Sequence, residues 1–218
     1  MAAAGATVTV WDADSGSRLR SQTTSRGFFD AVAFSPDGTT LAAVTSKGGV
    51  RVWNARTGGL IARADPVTGA VNAVAFSPNG QLLATAGNDG NIALWNPADL
   101  HRLAVLGPVG SVQALAFSPG GQVLASGEDN GTTLLWDTAD RSLTATLTSN
   151  QGGVHALAFT PGGGALLSGD DSSRIIAWDL DPEIMAREDC QLLARDPGLS
   201  QAETLVPSAS YLQLCPSH

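Results

Sequence analysis

Short apolar segments separated by polar turns recur along most of the chain. Between Ala70 and Leu106, the run Val71–Phe76 predicts a strand and Ser77-Pro78-Asn79-Gly80 a turn. Proline presets φ in such a turn, and Asn or Gly accepts a positive φ. Residues 81–86 predict a second strand, Gly87-Asn88-Asp89-Gly90 a second turn and residues 91–95 a third strand. After Asn96-Pro97-Ala98-Asp99 a fourth strand runs roughly from Arg102 to Leu106.

This four-strand unit repeats. All five Trp lie on one ladder, Trp11, Trp53, Trp95, Trp136 and Trp178, with spacings of 42, 42, 41 and 42. A second ladder has the same period: Phe34-Ser35-Pro36-Asp37-Gly38, Phe76-Ser77-Pro78-Asn79-Gly80, Phe117-Ser118-Pro119-Gly120-Gly121 and Phe159-Thr160-Pro161-Gly162-Gly163. Four short strands in about 42 residues is the signature of a propeller blade. Second strands carry small residues where stacked sheets approach, as in Ala42-Ala43, Ala84-Thr85-Ala86, Ala125-Ser126-Gly127 and Leu167-Ser168-Gly169. The Trp ladder is expected to serve inter-blade packing, since each ring buries a large apolar area.

These motifs resemble the WD-repeat β-propeller family. The dipeptide that names it stands as Trp11-Asp12, Trp136-Asp137 and Trp178-Asp179, with Trp53-Asn54 and Trp95-Asn96 as variants. The resemblance covers roughly residues 6–180 and implies an all-β fold that serves as a non-enzymatic interaction scaffold. Family members often hold a His, Ser/Thr, Asp, Trp hydrogen-bond tetrad in each blade. Here the Gly-His element is missing from every unit. The Ser/Thr place holds Ala43, Thr85, Ser126 and Ser168, and the turn Asp place holds Lys47, Asp89, Asn130 and Ser172. Thr85, Asp89 and Trp95 come closest to the full set. The unit with Ala43 and Lys47 is expected to be the least rigid.

The expected architecture is a WD-repeat propeller array of about four blades plus a two-strand remnant. The remnant is residues 6–22, and the units are about 24–65, 66–106, 107–148 and 149–180. Such an array is incomplete or completed by a partner. Without a neighbour it exposes a sheet edge and a blade face, which is an association hazard. Three arrangements would relieve this: the remnant pairing with the last blade, the tail folding over the open face, or a second chain completing the ring.

Residues 181–218 leave the repeat. Asp181 as N-cap, Pro182 at the first helical position and Glu183 in the first turn predict a short helix over about 183–195. Ala186, Cys190 and Leu193 share one face of it. This tail resembles the C-terminal end of large bacterial WD-repeat signalling proteins, with matches at Trp178–Pro182, Cys190, Pro207, Tyr211 and Cys215-Pro216. Glu203-Thr204 stands where those proteins usually carry Glu-Trp. That resemblance implies an alternative role, as the C-terminal sensor or regulatory part of a signalling protein with an upstream NTPase or kinase module.

The net charge of −8 disfavours nucleic acid and anionic membrane surfaces as partners, because both would be repelled on average. No apolar run is long enough to span a membrane, and the N-terminus carries no signal-peptide pattern. Cys190 and Cys215 make no disulfide framework; two reduced thiols in a cytoplasmic protein are expected, with a Cys190–Cys215 bridge as the alternative. No catalytic or metal constellation is present. His101 and His218 have no matched partners at ligand spacing, and no P-loop occurs. Gly162-Gly163-Gly164 are read as turn glycines with positive φ. Glu128-Asp129 and Asp170-Asp171 suit acid–base work or calcium in type, but they occupy equivalent turns and read as solvated. No cofactor is expected.

The informative polar positions are those that repeat. Four residues before each ladder Phe stand Asp30, Asn72, Gln113 and His155, at the start of each innermost strand. They are expected to line the central channel near the turns between second and third strands. Asp129 and Asp171 lie in those turns. Asp65, Asp89, Glu128, Asp129, Asp170 and Asp171 are expected to share that rim and to favour a basic protein or peptide.

Overall fold

The computed structural model describes residues 1–3, 5–23, 27–65, 69–107, 109–148 and 151–180. They form eighteen strands in five antiparallel sheets. The second sheet holds β4 (Phe29–Phe34), β5 (Thr40–Thr45), β6 (Val50–Asn54) and β7 (Leu60–Ala64) in sequential order. The third holds β8 (Val71–Phe76), β9 (Leu83–Gly87), β10 (Ile92–Trp95) and β11 (Arg102–Leu106). The fourth holds β12 (Val112–Phe117), β13 (Val123–Glu128), β14 (Thr133–Asp137) and β15 (Leu143–Leu147). Each is a meander in which the turn residues named above reverse the chain.

The end sheets have three strands each. The fifth is β16 (Val154–Phe159), β17 (Ala165–Asp170) and β18 (Ile175–Asp179). The first is β1 (Ala2–Ala3), β2 (Thr7–Trp11) and β3 (Arg18–Thr23). The expected two-strand remnant is therefore extended by a short third strand, with Ala2 opposite Val10 and Ala3 opposite Thr9. The run Met1-Ala2-Ala3 has no apolar alternation to announce it. Backbone bonds to Trp11 hold it instead, one from the Met1 ammonium to the Trp11 carbonyl at 2.9 Å and one from the Trp11 N–H to the Met1 carbonyl at 2.8 Å.

Sheets stack through their faces in chain order, and the innermost strands β4, β8, β12 and β16 pack against one another in turn. Strand alternation sends each Trp toward the preceding sheet, and the residues one and three before it toward the following one. Thus Val50 and Val52 of the second sheet meet Leu83, Ala93 and Trp95 of the third. Ile92 and Leu94 of the third meet Leu124, Leu134 and Trp136 of the fourth. Val8 and Val10 of the first sheet meet Phe29, Leu41 and Trp53 of the second, and Ala125 and Leu135 of the fourth meet Leu166 and Trp178 of the fifth. Trp53, Trp95 and Trp136 are buried, whereas the end-sheet Trp11 and Trp178 are half-buried.

The array is not closed. Among the described residues β3 pairs only with β2, and β18 only with β17. The first sheet packs on β4 rather than pairing with the last blade. The tail helix over 183–195, with Cys190 and Cys215, lies outside the described residues.

Two details differ from the sequence reading. Of Gly162, Gly163 and Gly164, only Gly163 has a positive φ, 75°. Each innermost strand also carries a bulge near its start: the pairing register skips between Phe29 and Ala31, Val71 and Ala73, Val112 and Ala114, and Val154 and Ala156.

Candidate functional site

The skipped residues are Asp30, Asn72, Gln113 and His155. A bulge residue is left out of the ladder and its side chain is re-aimed. The four positions singled out by their spacing are therefore also four equivalent backbone irregularities. A recurring bond ties each to the adjacent turn: the Asn88 N–H donates to the Ala70 carbonyl (3.0 Å), Asp129 to Ser111 (2.9 Å) and Asp171 to Gly153 (3.2 Å). In the second sheet Ser46 donates likewise to Phe28 (3.0 Å).

These positions form two connected groups. Asn72 Nδ2 donates to Asn88 Oδ1 at 2.7 Å and, across the sheet junction, to the Val112 carbonyl at 3.0 Å. Ser111 Oγ donates to the same Asn88 oxygen at 3.1 Å, and Gln113 Nε2 donates to Ser111 Oγ at 3.1 Å. A polar chain thus runs from the third sheet to the fourth. At the next junction His155 Nε2 lies 2.6 Å from Asp171 Oδ1, and the Gly153 N–H donates to Asp171 Oδ2 at 3.0 Å. A Cβ on Gly153 would stand 3.1 Å from Asp171 Oδ2 and 3.3 Å from the Asp129 Cα, so Asp129 borders this group too. Asp30, on the second sheet, is exposed at the residue level, and partial burial raises its carboxyl above the usual range. Asn88 and Ser111 were missed from sequence because their units carry different residues at those places.

The acids differ in their surroundings. Asp65 is paired to Arg51 at 2.7 Å. Glu128 is buried, accepting the Gly110 N–H at 3.1 Å and Asn130 Nδ2 at 2.9 Å. Asp89 accepts both the N–H and the Nδ2 of Asn91 at 3.2 Å within its own turn. Asp170 accepts the N–H groups of Ser172 and Arg174 at 2.9 and 3.2 Å. Asp65, Asp129 and Asp171 are exposed, Asp65 in its pair with Arg51 and Asp171 in its pair with His155. Among the described residues no three His, Cys, Asp or Glu side chains are grouped as a metal site requires.

The Trp ladder is anchored by hydroxyls. Trp95 Nε1 donates to Thr85 Oγ1 (2.8 Å), Trp136 to Ser126 Oγ (3.0 Å) and Trp178 to Ser168 Oγ (2.9 Å). At Trp53 the corresponding residue is Ala43, and Phe29 packs edge-on against the indole with centroids 5.8 Å apart. On the opposite rim, a cavity of about 450 Å³ opens between the second and third sheets, lined by Pro36, Ile61, Phe76, Pro78 and Pro97.

No curated protein matches the chain significantly. Among described residues no helix is long and apolar enough to cross a membrane. The family model for the WD domain, G-beta repeat, matches residues 17–54, 64–96, 101–137 and 141–179. Three of the four matches join the last strand of one sheet to the first three of the next, and the match at 64–96 begins at the end of β7 and covers the first three strands of the third sheet. With well over half its length matched in four successive repeats, the chain belongs to the WD-repeat family.

Proposed function

We propose that this chain is a non-enzymatic scaffold whose partner docks on the rim formed by Asp30, Asn72, Gln113, His155, Asp129 and Asp171. WD repeats support protein–protein interaction in general. The observation that supports the finer reading is the bulge at the start of all four innermost strands, with a different polar residue skipped in each. Different residues on equivalent, rigid positions make a surface with its own hydrogen-bonding pattern, which is what selective recognition needs. Exposed Asp129 and Asp171, in a chain of net charge −8, favour a basic protein or peptide and speed its approach.

The test is partner capture at low and high salt, using the chain and its Asp129→Asn/Asp171→Asn variant. Capture that weakens with salt and with the substitutions supports the reading. Capture insensitive to both rejects it.

A further inference from the structure

We propose that the outer face of the fifth sheet is a docking surface for the first sheet of a second copy of this chain, joined head to tail. This inference is independent of the rim reading.

Alternation puts Ala156, Ala158, Leu167, Gly169, Ile175 and Ala177 on the face turned away from the fourth sheet. Leu167, Gly169, Ile175 and Ala177 occupy places that are buried in the second, third and fourth sheets. Ile175 is 78% exposed, while its counterparts Val8, Val50, Ile92 and Thr133 are all at 0%. Leu167 is 37% exposed, while Ala42, Ala84 and Ala125 are also at 0%. Contiguous exposed apolar surface of this kind marks an interaction site.

The side-chain volumes point to the kind of occupant. In the second, third and fourth sheets, one cross-strand pair on this face joins a small residue of the second strand to a large one of the third: Ala42 with Val52, Ala84 with Leu94, Ala125 with Leu135. In the fifth sheet the pair is Leu167 with Ala177. Large and small have exchanged strands, so the pair still fills about the space that a following sheet leaves at the other junctions. Volume-conserving exchange is what a close-packed surface tolerates, and solvent imposes no such constraint.

The chain also carries the other half of that junction. On β2, Val8 and Val10 pack onto the second sheet, so Thr7, Thr9 and Trp11 face the opposite way. In the other four sheets the face with the Trp is the one that meets the preceding sheet, and Trp11 has no preceding sheet among the described residues. Ser21 pairs with Thr9, and their hydroxyls lie 3.4 Å apart, which places exposed Ser21 on this face. A fifth sheet set against the first sheet of another copy would bring a Trp-bearing face onto the face that follows it, as at the four junctions within one chain, although the first sheet has no innermost strand to meet β16. The contact is heterologous, so it propagates or closes into a ring.

The experiment is multi-angle light scattering of the full chain over a range of concentrations, at low and at high salt so that the acidic charge is screened. Ile175→Lys blocks the fifth-sheet face and Ser21→Lys the first-sheet face. Both sites are exposed, and circular dichroism checks that each variant is folded. The chain should associate with rising concentration, each variant alone should stay monomeric, and their equimolar mixture should give a species of twice the chain mass. That mixture retains one intact copy of each half-junction. A chain that stays monomeric throughout overturns the proposal. So do variants that associate like the parent chain, a mixture that forms no pair, and self-association by Ser21→Lys alone, which would mean that the fifth sheet packs on itself.

Discussion

The indole N–H of Trp136 donates to Ser126 Oγ at 3.0 Å, with both residues buried in the fourth sheet. The bond fixes the ring while its face packs on the third sheet. Ser126→Ala should cost about 1–2 kcal/mol, because the buried N–H loses its acceptor. Trp95→Ala should cost about 3–5 kcal/mol, since it removes a ring from the junction between the second and third sheets. Urea unfolding followed by circular dichroism measures both. An unchanged midpoint for Trp95→Ala would contradict the stacking described above.

Thr133 Oγ1 is buried with no hydrogen-bond partner, in a position held by Val50 and Ile92 in the preceding sheets. Thr133→Val keeps the shape and removes a hydroxyl that has lost its water. It should stabilise the chain by about 1 kcal/mol, read as a higher thermal midpoint. A lower midpoint would mean that the hydroxyl is satisfied in solution.

Gly163 and Gly162 separate backbone conformation from space. Neither would bring a Cβ into overlap, but only Gly163 has φ in the left-handed region. Gly163→Ala should cost about 1 kcal/mol, and Gly162→Ala should be close to neutral. Comparison of the two denaturation curves decides this.

Asp37 and Asp30 should titrate on opposite sides of the ordinary aspartate value of 3.8. Asp37 accepts bonds from Ser35 Oγ at 2.6 Å and from the Thr39 N–H at 3.0 Å, which favour its charged form. Its support of the turn is present at neutral pH and is lost as the pH falls through the lowered midpoint. Burial disfavours the charged form of Asp30, so its midpoint is raised and lowering the pH relieves that cost. Carboxyl chemical shifts followed by NMR across the acid range give both midpoints, and the reverse order would contradict the two environments.

The blades were legible in the sequence because Trp, Phe and turn residues recur at a fixed period, and each has one physical job. Leu41, Leu83, Leu124 and Leu166 stand opposite their Trp in the same register throughout. Asp30, Asn72, Gln113 and His155 stand out for the same reason, by place rather than type. Their bulges were not foreseen, because an extra residue in a strand of Ala, Val and Leu leaves no mark on the apolar pattern. The partners of the acids were not legible. Sequence puts Asp65, Glu128 and Asp170 near turns, but not Arg51 beside the first, nor the N–H groups of Gly110 and Ser172 beside the others. The strand at Ala2–Ala3 was missed because main-chain bonds to Trp11 hold it in place.

On the function proposed above, partners engage the bulge rim rather than the opposite one. A photo-crosslinking residue placed at Gln113 samples the first, and one placed at Thr39, beside the Pro36 and Asp37 cavity wall, samples the second. Mass spectrometry of a captured complex should find the partner joined at position 113 and absent from position 39. Crosslinks at position 39 alone would contradict the account and move the binding surface to the other side of the array.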